Sequence, residues 1–91
     1  MLGKLSEILL NNNVYTEIDD LEYHNGYREG IVVPFSNGEC FQIFYDKEFI
    51  VVDENLCICA RSNSEHVVAI HIINYYENKI EEINNGKYIE F

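Results

Sequence analysis

Apolar residues recur at helical spacing near the start of the chain, at Leu2, Leu5, Ile8 and Leu9. This spacing places their side chains on one face of an α-helix. The run Asn11-Asn12-Asn13 follows directly, and asparagine disfavours a helix interior because its side chain competes for nearby backbone groups. The pattern therefore predicts a short N-terminal helix that ends at the asparagine run.

The middle of the chain consists of strand-length apolar segments separated by turn signals. The strongest signals are Asn25-Gly26 and Asn37-Gly38, because the type I′ turn of a two-residue hairpin needs positive φ at both central residues. Asp46-Lys47 and Glu54-Asn55 supply two weaker turn signals. The segments that these turns delimit are Tyr27–Phe35, Glu39–Tyr45, Glu48–Asp53 and Leu56–Arg61. Short successive connections predict an antiparallel meander.

The last third of the chain has the pattern of a longer helix. The sequence from Ser62 to Glu65 fits a capping box, in which the serine accepts from first-turn amides and the glutamate bonds back to the cap. Apolar residues then repeat at intervals of three and four, at Val68, Ile72, Tyr75, Tyr76, Ile80 and Ile83. Asn85-Gly86 predicts the helix C-terminus, and Lys87–Phe91 has the alternation of a short final strand.

These elements predict one α+β domain that spans residues 1–91. We expect an antiparallel meander sheet of four to five strands, with the longer C-terminal helix packed on one face and the short N-terminal helix at an edge. An exposed final strand at Lys87–Phe91 makes a homodimer possible.

Charge changes the functional picture more than any motif does. The 91 residues include 16 Asp and Glu but only 6 Lys and Arg, which gives a net charge of −10. Five Phe and seven Tyr indicate a folded chain rather than an acidic disordered one. So strong a negative field repels nucleic acid and anionic lipid and attracts basic proteins. We therefore expect a protein that binds neither nucleic acid nor membrane. Because neither a signal peptide nor an apolar run of about 20 residues is recognisable, we also expect it to be cytoplasmic.

Three cysteines are the main candidates for other chemistry. Their odd number favours a reducing compartment. If Cys57 and Cys59 share one face of a strand and Cys40 lies on its neighbour, His66 could complete a zinc site. The C-x-C spacing within an apolar strand is not typical of zinc ligands, however, and free cysteine packs as a small hydrophobe. We therefore expect core packing, with no metal, cofactor or catalytic residue; a small metal- or thiol-dependent enzyme or regulator stays an alternative.

Acidic residues are the predicted binding site. Four carboxylates lie within six residues, at Glu17, Asp19, Asp20 and Glu22. In an extended segment alternate side chains stand about 6.6 Å apart, which is comparable to the phosphate spacing of a nucleic-acid strand. Such a row suits a groove that binds phosphates. Further carboxylates of the predicted surface are Glu29, Asp53, Glu54, Glu77, Glu81 and Glu82.

The segment from Asn37-Gly38 to Tyr76 combines a hairpin, further strands, the Ser62-to-Glu65 cap and an apolar helix. In an acidic chain of this size, this organisation resembles that of small phage-encoded anti-CRISPR proteins. The resemblance implies a non-enzymatic inhibitor that mimics DNA and occupies the basic groove of a type II effector nuclease. Because these proteins share no defining motif, it assigns no residue a role. An immunity protein or antitoxin that neutralises a basic toxin would have the same size and charge.

Overall fold

The computed structural model describes the backbone of residues 1–89 and the side chains of residues 1–85. The helices are α1 (Leu2–Asn11) and α2 (Glu65–Ile89), and the strands are β1 (Glu17–Tyr23), β2 (Gly26–Pro34), β3 (Cys40–Tyr45), β4 (Phe49–Val52) and β5 (Ile58–Ser62). The strands form one antiparallel sheet in the order β1-β2-β3-β4-β5. The predicted α+β meander with a short first helix and a longer second helix is confirmed.

Helix α1 ends at the asparagine run, as predicted. Asn12 leaves the helical conformation, and Asn13 follows with a φ of 64°. This left-handed residue reverses the chain, so that the amide of Val14 donates to the carbonyl of Leu9 at 2.9 Å. Asparagine tolerates the left-handed region better than most residues, and the run therefore ends the helix by local geometry.

The first hairpin uses a turn one residue earlier than the sequence predicts. Tyr23 pairs with Gly26, and the two residues between them, His24 and Asn25, have φ values of 46° and 57°. Both central positions of this two-residue turn are left-handed, which is the requirement of a type I′ turn. Asparagine and histidine are enriched in this region among non-glycine residues. Gly26 therefore begins β2 instead of closing the turn.

The second helix begins later and ends later than predicted. The N-cap is Ser64, whose hydroxyl accepts from the amide of Val67 at 3.3 Å, while Ser62 accepts from the amide of Ser64. The predicted capping box from Ser62 to Glu65 is therefore wrong in register. The helix also continues through Asn85-Gly86, since an interior glycine costs only about 1 kcal/mol relative to alanine. The predicted strand at Lys87–Phe91 is wrong for residues 87–89, which are helical; Glu90 and Phe91 lie outside the described residues.

The two helices cover one face of the sheet and build the main core there. Helix α1 contacts both α2 and β2, and α2 also contacts β4 and β5. Of the predicted α2 stripe, Val68 and Ile72 are buried, whereas Ile80 is exposed. The fully buried residues of this core include Leu5, Leu9, Ile31, Val33, Ile43, Val51, Val68 and Ile72. Among the described residues, neither helix combines the length and the apolar composition needed to cross a bilayer.

Candidate functional site

The four clustered carboxylates lie on β1, the strand at one edge of the sheet. All four are exposed. Side chains alternate along a strand, so Glu17 and Asp19 share the face of Leu21 and Tyr23, whereas Asp20 and Glu22 stand on the face of Ile18. The cluster is therefore not a single row. It presents two pairs of carboxylates, one on each side of an edge strand, with about 6.6 Å between the members of a pair.

The hairpin places a fifth carboxylate, Glu29, beside the four of β1. Glu29 on β2 lies directly opposite Asp20 on β1. Like charges at directly opposed positions of an antiparallel pair are destabilising, so this hairpin concentrates negative charge against its own stability. The predicted Asn25-Gly26 turn would have paired residue 29 with residue 22. The turn at His24-Asn25 pairs it with residue 20 instead, so the exact register of the hairpin was the missing step.

The nearest cation does not neutralise this hairpin. Arg28 donates to the carbonyl of Tyr45 at 2.7 Å, lies 3.9 Å from the carboxylate of Asp46 and places its guanidinium 5.1 Å from the ring centre of Tyr23. The Tyr23 hydroxyl also donates to Asp46 at 3.1 Å, and burial together with this hydrogen bond raises the pKa of Tyr23. Among the described residues, no Lys, Arg or His lies within 4.0 Å of the carboxylates of β1 or of Glu29.

A second acidic group surrounds Lys79 at the opposite end of the sheet from the His24-Asn25 turn. The ammonium lies 3.0 Å from Glu39 and 3.5 Å from Glu54, and its side chain is only 13% exposed. The hydrogen bond that Lys79 donates to Glu39 lowers the pKa of Glu39, and the same bond raises the pKa of Lys79. Asp53 and Glu82 line the same cavity. Glu54 is therefore engaged in an internal ion pair, in contrast to the β1 carboxylates.

Other predicted site residues have separate positions. Asp53 organises the β4–β5 turn, because its carboxylate accepts from the amides of Asn55 and Cys57 at 2.9 and 3.0 Å. Glu77 and Glu81 stand on the exposed surface of α2. The structure thus divides the predicted acidic surface into the β1 pairs, the group around Lys79 and an exposed helical pair, and does not unite them in one patch.

The cysteines do not share one environment. Cys57 lies in the turn before β5 and is exposed, so its predicted place in the core is wrong; the Asp53 turn holds it outside the strand. Cys59 lies at a bulge where the pairing of β4 with β5 shifts register. Burial raises the pKa of its thiol, and the negative charge of Asp53 raises it further. Cys40 is half-buried and His66 exposed. Among the described residues, no three Cys, His, Asp or Glu side chains are placed to hold a metal ion.

The face of the sheet opposite the helices carries an apolar groove that the sequence did not indicate as a site. The groove has a volume of about 470 Å³. Phe44 and Ile50 form its floor and are only 2% and 5% exposed, although neither belongs to the helix-side core. The lining residues are Glu22, Tyr23, His24, Gln42, Phe44, Ile50, Val52, Leu56 and Ile58. One signal was available: the β4 sequence Phe-Ile-Val-Val is apolar at every position, as in strands covered on both faces.

Gly30 on β2 leaves room for the side chains of Leu21 and Phe44 to pack over the sheet beside this groove. A Cβ atom at Gly30 would lie 2.8 Å from Leu21 Cδ1, 3.3 Å from Phe44 Cδ1 and 3.0 Å from the Ile43 carbonyl oxygen. Tyr23 packs on Phe44 with 4.7 Å between the ring centres. Gly30 therefore provides the space over β2 into which the side chains of Leu21 and Phe44 extend.

Comparison of the chain with protein-family models, with curated proteins and with solved structures gave no match.

Proposed function

We propose that this protein is a non-enzymatic binding module that presents the carboxylates of the β1–β2 hairpin to a basic protein. The observation that carries the proposal is the concentration of exposed and uncompensated carboxylates there: Glu17, Asp19, Asp20, Glu22 and Glu29. The opposed pair Asp20 and Glu29 makes this charge unfavourable for the hairpin alone. A basic partner surface would relieve that repulsion on binding.

The partner that we propose is a nucleic-acid-binding protein, such as a nuclease. Two carboxylates about 6.6 Å apart on one face of β1 match the spacing of successive phosphates, so the hairpin suits a groove built for a phosphate backbone. Inhibition by DNA mimicry, as in the anti-CRISPR proteins that the chain resembles, is the proposed mode of action. An immunity protein or antitoxin would use the same surface against a basic toxin.

Direct binding of nucleic acid is not part of this proposal, because four of the six Lys and Arg residues are engaged internally. Lys4, Arg28, Arg61 and Lys79 each lie within 4.0 Å of a carboxylate of the same chain. Non-specific nucleic-acid affinity comes almost entirely from basic patches that contact phosphates. The cytoplasm, where nucleases and their nucleic-acid substrates occur together, is the proposed location.

The test is charge reversal at the hairpin. The tagged chain is used to capture its partner from a lysate, and the partner is then titrated with the purified parent and with a variant that carries Glu17→Lys, Asp19→Lys, Asp20→Lys and Glu22→Lys. We expect the variant to fold, because exposed charges contribute little to stability. Binding should be abolished, since electrostatic complementarity depends on the sign of the field. Parent binding should also weaken steeply as salt is raised.

The matched control reverses four exposed carboxylates elsewhere, with Glu7→Lys, Glu77→Lys, Glu81→Lys and Glu82→Lys. Its net charge equals that of the hairpin variant. We expect the control to retain most of the affinity, which would assign binding to the hairpin rather than to the total charge. Equal affinity of the folded hairpin variant and the parent would refute the proposal.

A further inference from the structure

We propose that the groove on the open face of the sheet binds an amphipathic basic helix of the partner, with the apolar stripe of that helix on Phe44, Ile50 and Ile58. This inference rests on the proposed function and extends it. The hairpin carboxylates would supply attraction, and the groove would supply the apolar contact that charge alone lacks. Charge pairs at the rim of an interface steer association, whereas buried apolar anchors hold the complex together.

The groove has apolar surface available for such a contact. Its floor is made by Phe44 and Ile50, and its open end is formed by Leu56 and Ile58, which are 76% and 57% exposed. The groove runs from Tyr23 at the end of β1 and His24 in the following turn to Leu56, just before β5, and Ile58 on β5. Four inter-strand steps of about 4.8 Å span roughly 19 Å, which is enough to seat a helix of about 10 Å diameter.

The backbone of Leu56 has a conformation that leucine does not favour. Its φ is 62°, in the left-handed region that glycine or asparagine occupies with less strain. At the same time its side chain is the most exposed of the groove residues that are aliphatic. Strained residues are concentrated at functional sites. The combination is explained if the leucine side chain serves a contact outside the chain.

The charge around the groove selects the occupant. Glu17 and Asp19 project from the same face of β1 as Tyr23, which lines the groove, whereas the side chain of Glu22 alternates to the opposite face of this edge strand. The arginines on that face are already paired, Arg28 with Asp46 and Arg61 with Glu48. The rim therefore retains an excess of negative charge, which complements lysine or arginine flanking an apolar stripe. A second copy of this chain would bring another net charge of −10 to the same surface, so we infer a basic helix and not a homodimer.

The probe for this test is a synthetic 18-residue peptide of leucine and lysine with leucines at helical spacing. A scrambled peptide of the same composition has the same charge but lacks the stripe, and a leucine–glutamate peptide has the stripe but the opposite charge. Binding to the full chain is measured by titration calorimetry, and the site is located by NMR shifts. We expect the first peptide to bind at Phe44, Ile50 and Ile58, the scrambled one at least about tenfold more weakly, and the acidic one not at all.

Two variants test the groove, each with a matched control. Ile58→Asp should weaken peptide binding roughly tenfold, whereas Ile70→Asp, at an exposed isoleucine on α2, should change it less than about twofold. Leu56→Gly should also weaken binding roughly tenfold while leaving the urea midpoint unchanged or higher, because it relieves a left-handed leucine. Lys47→Gly makes the same backbone change at a φ of 64° in the β3–β4 turn, at a residue that does not line the groove, and should not weaken binding.

Several results would overturn the groove as the site. These are equal binding of the scrambled peptide, NMR shifts confined to the hairpin carboxylates, or a stable parent dimer in ultracentrifugation that Ile58→Asp dissociates. The captured partner separates this inference from the proposed function. If the four-lysine hairpin variant loses the partner but Ile58→Asp and Leu56→Gly retain it, the carboxylate proposal stands and the groove is excluded.

Discussion

The two faces of one five-stranded sheet differ in how they are covered. On the helix side, Phe49, Val51 and Ile43 are buried beneath α1 and α2. On the other side, the described chain supplies no helix, and Phe44 is covered by its own sheet neighbours Leu21 and Tyr23. Both faces are nevertheless apolar along β4, and on β3 the open face carries the buried ring of Phe44 beside Gln42. A sheet that needed only one covered face would alternate apolar with polar residues.

This contrast indicates that stability and binding are carried by opposite faces. The helix side contains residues whose exposure is zero and whose loss would leave cavities. The open side combines a partly closed apolar floor with exposed leucine and isoleucine side chains, a left-handed Leu56 and a hairpin of like charges. Features that oppose stability accumulate on the open side and on the adjoining edge strand, where a partner would compensate them.

The largest expected effect belongs to the covered face. Phe49→Ala should lower the free energy of unfolding by roughly 3–5 kcal/mol, because it removes a fully buried ring and leaves a cavity. Ile58→Ala on the open face should change it by about 0.5 kcal/mol, since that side chain is already largely exposed. Urea unfolding followed by circular dichroism measures both values. Similar losses for the two variants would contradict the assignment of stability to the helix side.

A smaller effect is expected where the open face is most tightly packed. Gly30→Ala should destabilise the protein by roughly 1–3 kcal/mol, because the new methyl group would meet a backbone carbonyl that cannot move aside easily. Gly3→Ala is the control: a Cβ atom there meets nothing within 4 Å, and alanine favours a helix by up to about 1 kcal/mol. Thermal unfolding should show opposite shifts in Tm. A neutral Gly30→Ala would mean that Leu21 and Phe44 do not close over β2.

The smallest effect concerns two cysteines that are two residues apart. Cys59→Ala should lower the free energy of unfolding by about 1 kcal/mol. Cys57→Ala should change it by less than about 0.5 kcal/mol, because Cys57 is exposed. Alkylation at pH 7.5 followed by mass spectrometry should modify Cys57 before Cys59. Burial raises the pKa of Cys59, so its thiol stays protonated at neutral pH and its alkylation accelerates as the pH approaches that raised value. Equal rates at pH 7.5 would contradict this environment.

Local signals predicted the elements of this fold well. The asparagine run ends α1, and the turn residues separate the strands near the expected positions, because both effects depend on the preferences of a few adjacent residues. The turn and the N-cap were predicted at the wrong residues where two neighbouring sequences suit the same structure. His24-Asn25 and Asn25-Gly26 both satisfy a type I′ turn, and Ser62 and Ser64 both suit an N-cap; which one is used depends on strand register and helix docking.

The candidate sites depended on information that periodicity does not contain. The pairing of Asp20 with Glu29 requires the hairpin register, and the ion pairs of Lys79 join residues 39, 54 and 79, which are far apart in the chain. The groove is a property of one face of the assembled sheet. Its only trace in the sequence is the absence of polar alternation in β4, which a buried strand would also show.

The consecutive order of the five strands has a consequence for how the protein folds. Each strand pairs with its neighbour in the chain, so the hydrogen-bonded ladders require only short loop closures, with a low entropic cost. Domains dominated by such local contacts fold quickly. The contact between α1 and α2, by contrast, joins the two ends of the chain. We therefore expect the hairpins to form first and the docking of the two helices on each other to complete folding.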